Sequence, residues 1–543
     1  MPFSVPSTNF ESLISGNPIG MAVSVPFVFF FSFWTVDSSN EDKQISIAVL
    51  SIFVLIFALF WFRRSGEPKL RLPPSPPSPR GLPLLGYLPF LSLNLHRTFA
   101  DLAGIYSPVF KLRLGTKLCV VLTSPSAVNE ALHRQDTVFA NRDPTVCALL
   151  ASYGGSDIVI TSDGADWKKL RKIFARKMLS KSNLEASYCV RRREVREAIK
   201  GVFESAGTPI DVGEVGFLAT LKSVMAMIFG GAGRRIGGDL EGDLREKMGE
   251  LMVLLGTPNV SDIFPALGGF DLQGIGRRTK EVMLMIDEIL DLAIEEQKVG
   301  ENGGGFLQWL LELNDTQDCS DSITTNQLKA LLVDIVVGGT DTTSTTIEWA
   351  MAELMQHRNI MEKVTEELTQ VVGLNQMVEE FHLSKLCFLN AVIKETLRLH
   401  PPLPLLVPRI AAQTSTLGGY SIPKGSAIYF NIWAIQRDPK VWDNPLKFMP
   451  RRFLNEPEGY DFTGNCMEFC PFGSGRRSCV GIPLAERMLV FILASLLHSF
   501  EWELPKDSSV LDLEDKFGIV TKKLKPLVAV PVPRLSNLEL FQS

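Results

Sequence analysis

The sequence predicts a mainly α-helical protein with a small β region, led by an N-terminal transmembrane helix. Three observations carry that expectation. Long helical patterns of apolar residues run through Leu328–Met355 and Ile360–Val372. Strand-like alternation is confined to short early runs such as Val109–Leu114 and Leu118–Leu122. Ile45 to Phe62 reads ISIAVLSIFVLIFALFWF without a charge.

The 45–62 run, as a helix, spans about 27 Å, close to the hydrocarbon thickness of a bilayer. Trp61 suits the membrane interface, and Arg63-Arg64 follow at once, so the positive-inside rule puts everything after them in the cytosol. The 1–44 segment ahead of it carries an extra apolar stretch at 21–36, with Pro26 inside it. That stretch fits a second span, a re-entrant turn or an interfacial segment. If both stretches span, the N-terminus is cytosolic; if only 45–62 does, it is lumenal. The 63–86 segment is a basic stop and a proline-rich hinge, Leu72-Pro73-Pro74-Ser75-Pro76-Pro77-Ser78-Pro79. Its locked φ angles favour a semi-rigid spacer. From 87 to 543 no second linker or repeat stands out, which leaves one large catalytic domain.

Composition narrows the function. A net charge of -5 and a pI near 5.9 give no sign of nucleic-acid binding. The histidines are scattered and show no zinc spacing. The eight cysteines form no disulfide framework, and Cys466-x3-Cys470 lacks the second pair a metal site needs. Reduced thiols in the cytosol fit best.

Three constellations carry chemistry. Phe472-Gly473-Ser474-Gly475-Arg476-Arg477-Ser478-Cys479-Val480-Gly481 sets one cysteine in a glycine-rich turn just before an apolar helix. Glycines there allow unusual backbone angles and close approach of a large group. Taken alone, the turn also reads as an ordinary buried cysteine ahead of a helix. Leu331 to Thr346, LLVDIVVGGTDTTSTT, sets Gly338, Gly339, Thr340, Asp341 and Thr342 inside a helical pattern. Hydroxyls there can bond their own backbone and bend or open the helix; close helix–helix contact is the competing reading. Lys394-Glu395-Thr396-Leu397-Arg398 places Glu395 and Arg398 on one helical face, in an apolar setting where buried pairing makes sense.

Together these motifs resemble the cytochrome P-450 family, over Leu72 to Leu535 and in family order. RGLPLLGYLPF (Arg80 to Phe90) and Phe517-Gly518-Ile519-Val520 look like its plant microsomal group, which contains terpenoid and flavonoid hydroxylases. The resemblance implies haem b with Cys479 as the axial thiolate, a ligand that favours cleavage of the O–O bond. It implies Phe472, Arg477 and Gly481 as haem contacts, and Trp167, Arg171 and Arg409 as further partners of the propionates. Asp341 and Thr342 match the oxygen-activation motif, in which Thr342 holds oxygen and a water and Asp341 feeds protons inward. Glu395 and Arg398 match a structural pair whose third member is Arg452, in Phe448-Met449-Pro450-Arg451-Arg452-Phe453; Arg451 departs from the family's glutamate.

The expected partners are NADPH-cytochrome P-450 reductase, cytochrome b5 as a further electron donor, O2 and membrane lipid. The expected location is the endoplasmic reticulum membrane, with the catalytic domain facing the cytosol. Substrate-facing positions carry over loosely to 144–155, 340–343, 404–407 and 518–520, which, apart from Asp341 in its proton-feeding role, hold no charged side chain to recognise a carboxylate or an amine. A lipophilic neutral substrate follows. A sesquiterpene-like terpenoid is the first expectation and a flavonoid or other phenolic the alternative. A haem-thiolate isomerase or dehydratase ranks behind both, because it needs no proton relay.

Overall fold

Strand β1 (Val109–Leu114) and strand β2 (Lys117–Leu122) pair antiparallel across a two-residue turn, with Val109 opposite Leu122 and Leu114 opposite Lys117. Later strands complete the sheet: β3 (Arg409–Ile410) pairs with β4 (Ala427–Phe430), which lies parallel to β2, giving the order β1-β2-β4-β3. The rest is predominantly helical. These are features of a computed structural model that describes residues 73–230, 239–299, 304–315, 322–455, 459–506 and 511–542. The apolar stretch at 21–36, the anchor at 45–62 and Arg63-Arg64 lie outside the described residues.

Five helices position the site: α1 (Ala165–Ile173), α2 (Val212–Phe229), α3 (Thr325–Gln356), α4 (Cys387–Leu399) and α5 (Ile482–Ser499). Helix α3 is the centre. Thr324 starts it with a capping box: its hydroxyl accepts from Gln327 N at 3.1 Å while the Gln327 side chain accepts from Thr324 N at 3.1 Å. Its neighbours α2 and α5 are long and apolar enough to cross a membrane, yet both pack on α3 as core helices. An all-round apolar surface is what a helix buried in a large core requires.

From Pro73 onward the proline-rich run belongs to the same compact unit as the catalytic residues. The physical reason is that proline lacks an N–H but keeps its carbonyl. Pro77 O accepts from Lys111 N and Pro74 O from Ser421 N, each at 2.9 Å, which docks the run against β1 and the Tyr420–Ile422 strand.

A charge cluster ties α4 to the segment before the cysteine loop. Glu395 and Arg398 are both fully buried. Arg398 grips Glu395 with two parallel bonds, Nε to Oε2 at 2.7 Å and Nη2 to Oε1 at 2.9 Å. Arg452 Nε adds a third at 3.1 Å, and Met449 N donates to the same carboxylate at 2.7 Å. Arg398 Nη1 also holds the carbonyls of Gln436 and Pro445, at 2.7 and 2.8 Å. Both guanidinium groups lie over Trp442. From there ring contacts lead through Phe453 and Phe469 to Phe462 and Phe472, at the mouth of the cysteine loop. Arg451, the departure from the family pattern, is exposed and outside this cluster.

Replacing Glu395 by glutamine leaves the buried Arg398 and partly buried Arg452 guanidinium groups uncompensated and is expected to destabilise the domain by about 3–5 kcal/mol. Urea unfolding measures it; a shift of only a few tenths of a kcal/mol would contradict the bracing role.

Candidate functional site

The cysteine loop is built by backbone geometry. Gly473 and Gly475 take φ of 71° and 67°, where side chains are disfavoured, and a Cβ on Gly475 would collide with Leu132 O. Cys479 N donates to Phe472 O at 2.9 Å and closes the loop. Gly481 N then donates to Cys479 Sγ at 3.3 Å, just before α5 begins. The thiol is exposed and yet desolvated by surrounding protein, as expected of a side chain that lines a hollow rather than the outer surface. Burial raises its pKa, while the N–H groups of Gly481 and Ile482 and the Arg171 cation oppose that rise.

The charged residues singled out in the sequence converge around this loop. Arg171, from α1, donates through Nη2 to Ser478 O at 2.7 Å. Arg477 stacks on Trp167, 4.2 Å from its ring centre, and donates to Ala140 O at 2.8 Å and Ile158 O at 3.2 Å. The Trp167 indole N–H is directed to the same Ile158 carbonyl, at 3.0 Å, rather than into open space. Arg409 pairs with Asp136 at 3.2 Å and donates to Ser474 O at 3.0 Å.

A further cation escaped the sequence reading. Arg142 donates to Val159 O at 2.9 Å and to Val407 O at 2.5 Å, and its charge is felt against Arg409 and Arg477. It sits in a loop with no motif around it, so only the fold reveals it. Burial pushes Arg409 down to about 10, and burial with the neighbouring Arg409 cation does the same to Arg477.

A buried surplus of guanidinium charge beside a thiol that faces a hollow fits a group carrying two carboxylates and a metal that accepts sulfur, as haem does. Room for a large group also exists on α3, where Gly338 is exposed and a Cβ would meet no atom within 4 Å. Among the described residues no cluster of three His, Cys, Asp or Glu side chains offers a different metal site.

The hydroxyls of α3 bond their own backbone as expected, Thr340 to Val336 O at 2.7 Å, Thr342 to Gly338 O at 2.9 Å and Thr343 to Gly339 O at 3.0 Å, but the helix is continuous past the site and does not open. Each replaces solvent for a helix carbonyl without displacing its N–H partner. Asp341 is buried and pairs through Oδ1 with Lys522 at 2.5 Å, while its Oδ2 has no partner among the described residues. Lys522 is about half exposed, so the acid is one side chain from solvent. Of the stretches expected to face substrate, 404–407 touches the cysteine loop, where Leu406 lies beside Gly473.

Comparison with known proteins agrees with this geometry. The family described as Cytochrome P450 matches residues 76–530. A flavonoid 3′-monooxygenase from Crocosmia x crocosmiiflora is 38% identical, over 91% of this chain and 98% of its own. A flavonoid 3′-monooxygenase from Arabidopsis thaliana is 36% identical, over 91% and 97%. A carnosic acid synthase from Salvia pomifera is also 36% identical, over 90% and 98%. A solved zebra fish cytochrome P450 with progesterone superposes with a TM-score of 0.71 at 28% identity, covering 81% of this chain and all of that one.

Gly481 gives a clean test of sulfur tuning. Gly481→Pro removes the N–H that faces Sγ and is expected to lower the iron reduction potential by roughly 60 mV, one tenfold step for a one-electron couple. Gly481→Ala keeps the N–H, and its Cβ would meet Sγ at an ordinary 3.5 Å, so its potential should stay put. Spectroelectrochemistry reads both; equal potentials in the two variants would rule the hydrogen bond out as a tuning element.

Proposed function

The chain belongs to the cytochrome P450 family, and from that footing we propose that this haem-thiolate monooxygenase hydroxylates a flavonoid-type phenolic. The enzyme class and the haem, held by a cysteine thiolate, follow from the family. The substrate is the proposal. What carries it is the recurrence of flavonoid 3′-monooxygenases among similar relatives that align over nearly their whole length. The sesquiterpene-like expectation gives way to its alternative on that ground. The apolar, uncharged lining read from the sequence suits a flat aromatic ligand as well as a terpene.

When bound, haem supplies the activation of dioxygen. The chain's own residues do the rest. Cys479 Sγ would hold the haem iron, with the Gly481 N–H and Arg171 moderating the charge on sulfur. Arg142, Arg171, Arg409 and Arg477 match the two propionates in charge. Thr342 donates its hydroxyl proton to Gly338 O, which leaves its oxygen lone pairs free to hold a water in the hollow. Asp341 takes protons from the solvent side by way of Lys522 and passes them along α3. That acid–alcohol pair favours monooxygenation over isomerisation or dehydration.

Electrons reach the domain from NADPH through a separate reductase, with cytochrome b5 as a second donor. The uncharged 45–62 segment followed by Arg63-Arg64 supports anchoring in the endoplasmic reticulum membrane with the catalytic domain in the cytosol.

Microsomes carrying the chain and a plant reductase should convert flavanones and flavones to singly oxygenated products detectable by mass. Oxidation of sesquiterpenes with no flavonoid product would overturn the substrate reading. Thr342→Ala should keep consuming NADPH while losing most product. Asp341→Asn should slow turnover by about 10²-fold or more. Full coupling in the first variant, or full speed in the second, would remove these residues from the proton path.

A further inference from the structure

Residues Glu130–Arg134 form a single π-helical turn, closed where Gln135 N donates to Glu130 O at 3.0 Å. Such turns are rare and occur mostly at functional sites. This one packs against the first half of the cysteine loop. Leu132 O lies so close to Gly475 that a Cβ there would collide with it. The Ser474 hydroxyl accepts from His133 Nε2 at 2.9 Å and donates to Gly464 O at 2.6 Å.

Two residues past the turn, Asp136 links the loop to a buried cation, and its two oxygens divide the work. Oδ1 pairs with Arg409 Nη1 at 3.2 Å. Oδ2 accepts from Arg476 N at 2.9 Å, with Arg476 Nε 3.4 Å away. A Cβ on Gly475 would stand 3.1 Å from Oδ1, so the glycine lets the acid approach the loop backbone. The Arg409 side chain is 3% exposed, Asp136 14% and Arg476 40%. A chain of alternating charge therefore runs from the surface, through Asp136, to the buried guanidinium. Among the described residues, Arg409 is the one of the four guanidinium groups near Cys479 with a carboxylate in ion-pair contact. Arg142, Arg171 and Arg477 are bonded to backbone carbonyls. In the sequence Asp136 stands in Arg134-Gln135-Asp136-Thr137, a run that carries no motif.

We propose that Asp136 is a positioning residue that sets the reduction potential of the haem iron through Arg409. It locks that guanidinium to the Ser474–Arg476 turn and shares it with a haem carboxylate. A shared guanidinium gives each carboxylate only part of its charge. The haem carboxylate then keeps more negative charge than an unshared Arg409 would leave it, which favours the oxidised iron. Asp136 acts through Arg409 rather than by contact with haem or substrate. The inference rests on the haem reading of the site and is independent of which substrate is oxidised.

The test uses the full-length, haem-loaded protein as wild type, Asp136→Asn, Arg409→Gln and the double variant. Carbon monoxide difference spectra establish that each carries thiolate-bound haem, and spectroelectrochemistry then reads the midpoint potential. Asp136→Asn keeps an acceptor for Arg476 N but releases Arg409. Its potential is expected to rise by roughly 60 mV, a tenfold step for a one-electron couple. In the Arg409→Gln background the same substitution should move the potential by less than half as much, because the group it acts through is gone. A full shift in both backgrounds, or none in either, overturns the proposal. A structure of the haem-loaded wild type needs no variant to fold. There Arg409 should stay within about 4 Å of Asp136 while it contacts a haem carboxylate. An Arg409 parted from Asp136 would overturn the proposal. A wild type without the thiolate-type carbon monoxide spectrum would overturn the haem reading instead.

Discussion

Keeping a charged sulfur inside a protein is the constraint on which the rest of this structure depends. Burial alone drives the Cys479 thiol toward its neutral form, and a neutral thiol is a poor metal ligand. The chain counters with what lies within reach of the atom. The Gly481 N–H points at Sγ, the Arg171 cation stands nearby, and α5 begins where the loop ends. None of these is strong by itself. Together they offset part of that rise, and metal binding would complete the deprotonation.

That arrangement needs a rigid frame, because the loop has little regular structure of its own. The frame comes from two directions. On one side, the buried Glu395–Arg398–Arg452 cluster fixes the segment from Gln436 to Phe453, and aromatic contacts carry that rigidity to Phe472. On the other, four guanidinium groups are pinned by backbone carbonyls and by Asp136. Charge buried in this quantity would be a liability in a simple core. Here it matches a ligand that brings its own carboxylates, which is why stability and cofactor binding are parts of one design.

Much of this was legible in the sequence, for identifiable reasons. Period-two patterning placed β1 at Val109–Leu114, and the apolar pattern of 328–355 falls within α3. The cysteine loop and the Glu395–Arg398 spacing were readable because their chemistry is local in sequence. What escaped is non-local or depends on the backbone. Arg142 acquires meaning only when the fold brings it to Arg477. The docking of Pro73–Pro79 turns on carbonyls that no side-chain pattern announces. The unbroken course of α3 reflects hydroxyls bonding back to carbonyls, where the same residues also allow a kink.

The central claim is that Cys479 ligates haem iron as a thiolate. The carbon monoxide difference spectrum of the reduced protein tests it most directly. The account predicts a red-shifted Soret band in the wild type, the mark of a thiolate opposite the carbonyl, and its loss in Cys479→Ala. An unshifted band in the wild type, or the same spectrum in both proteins, would contradict it.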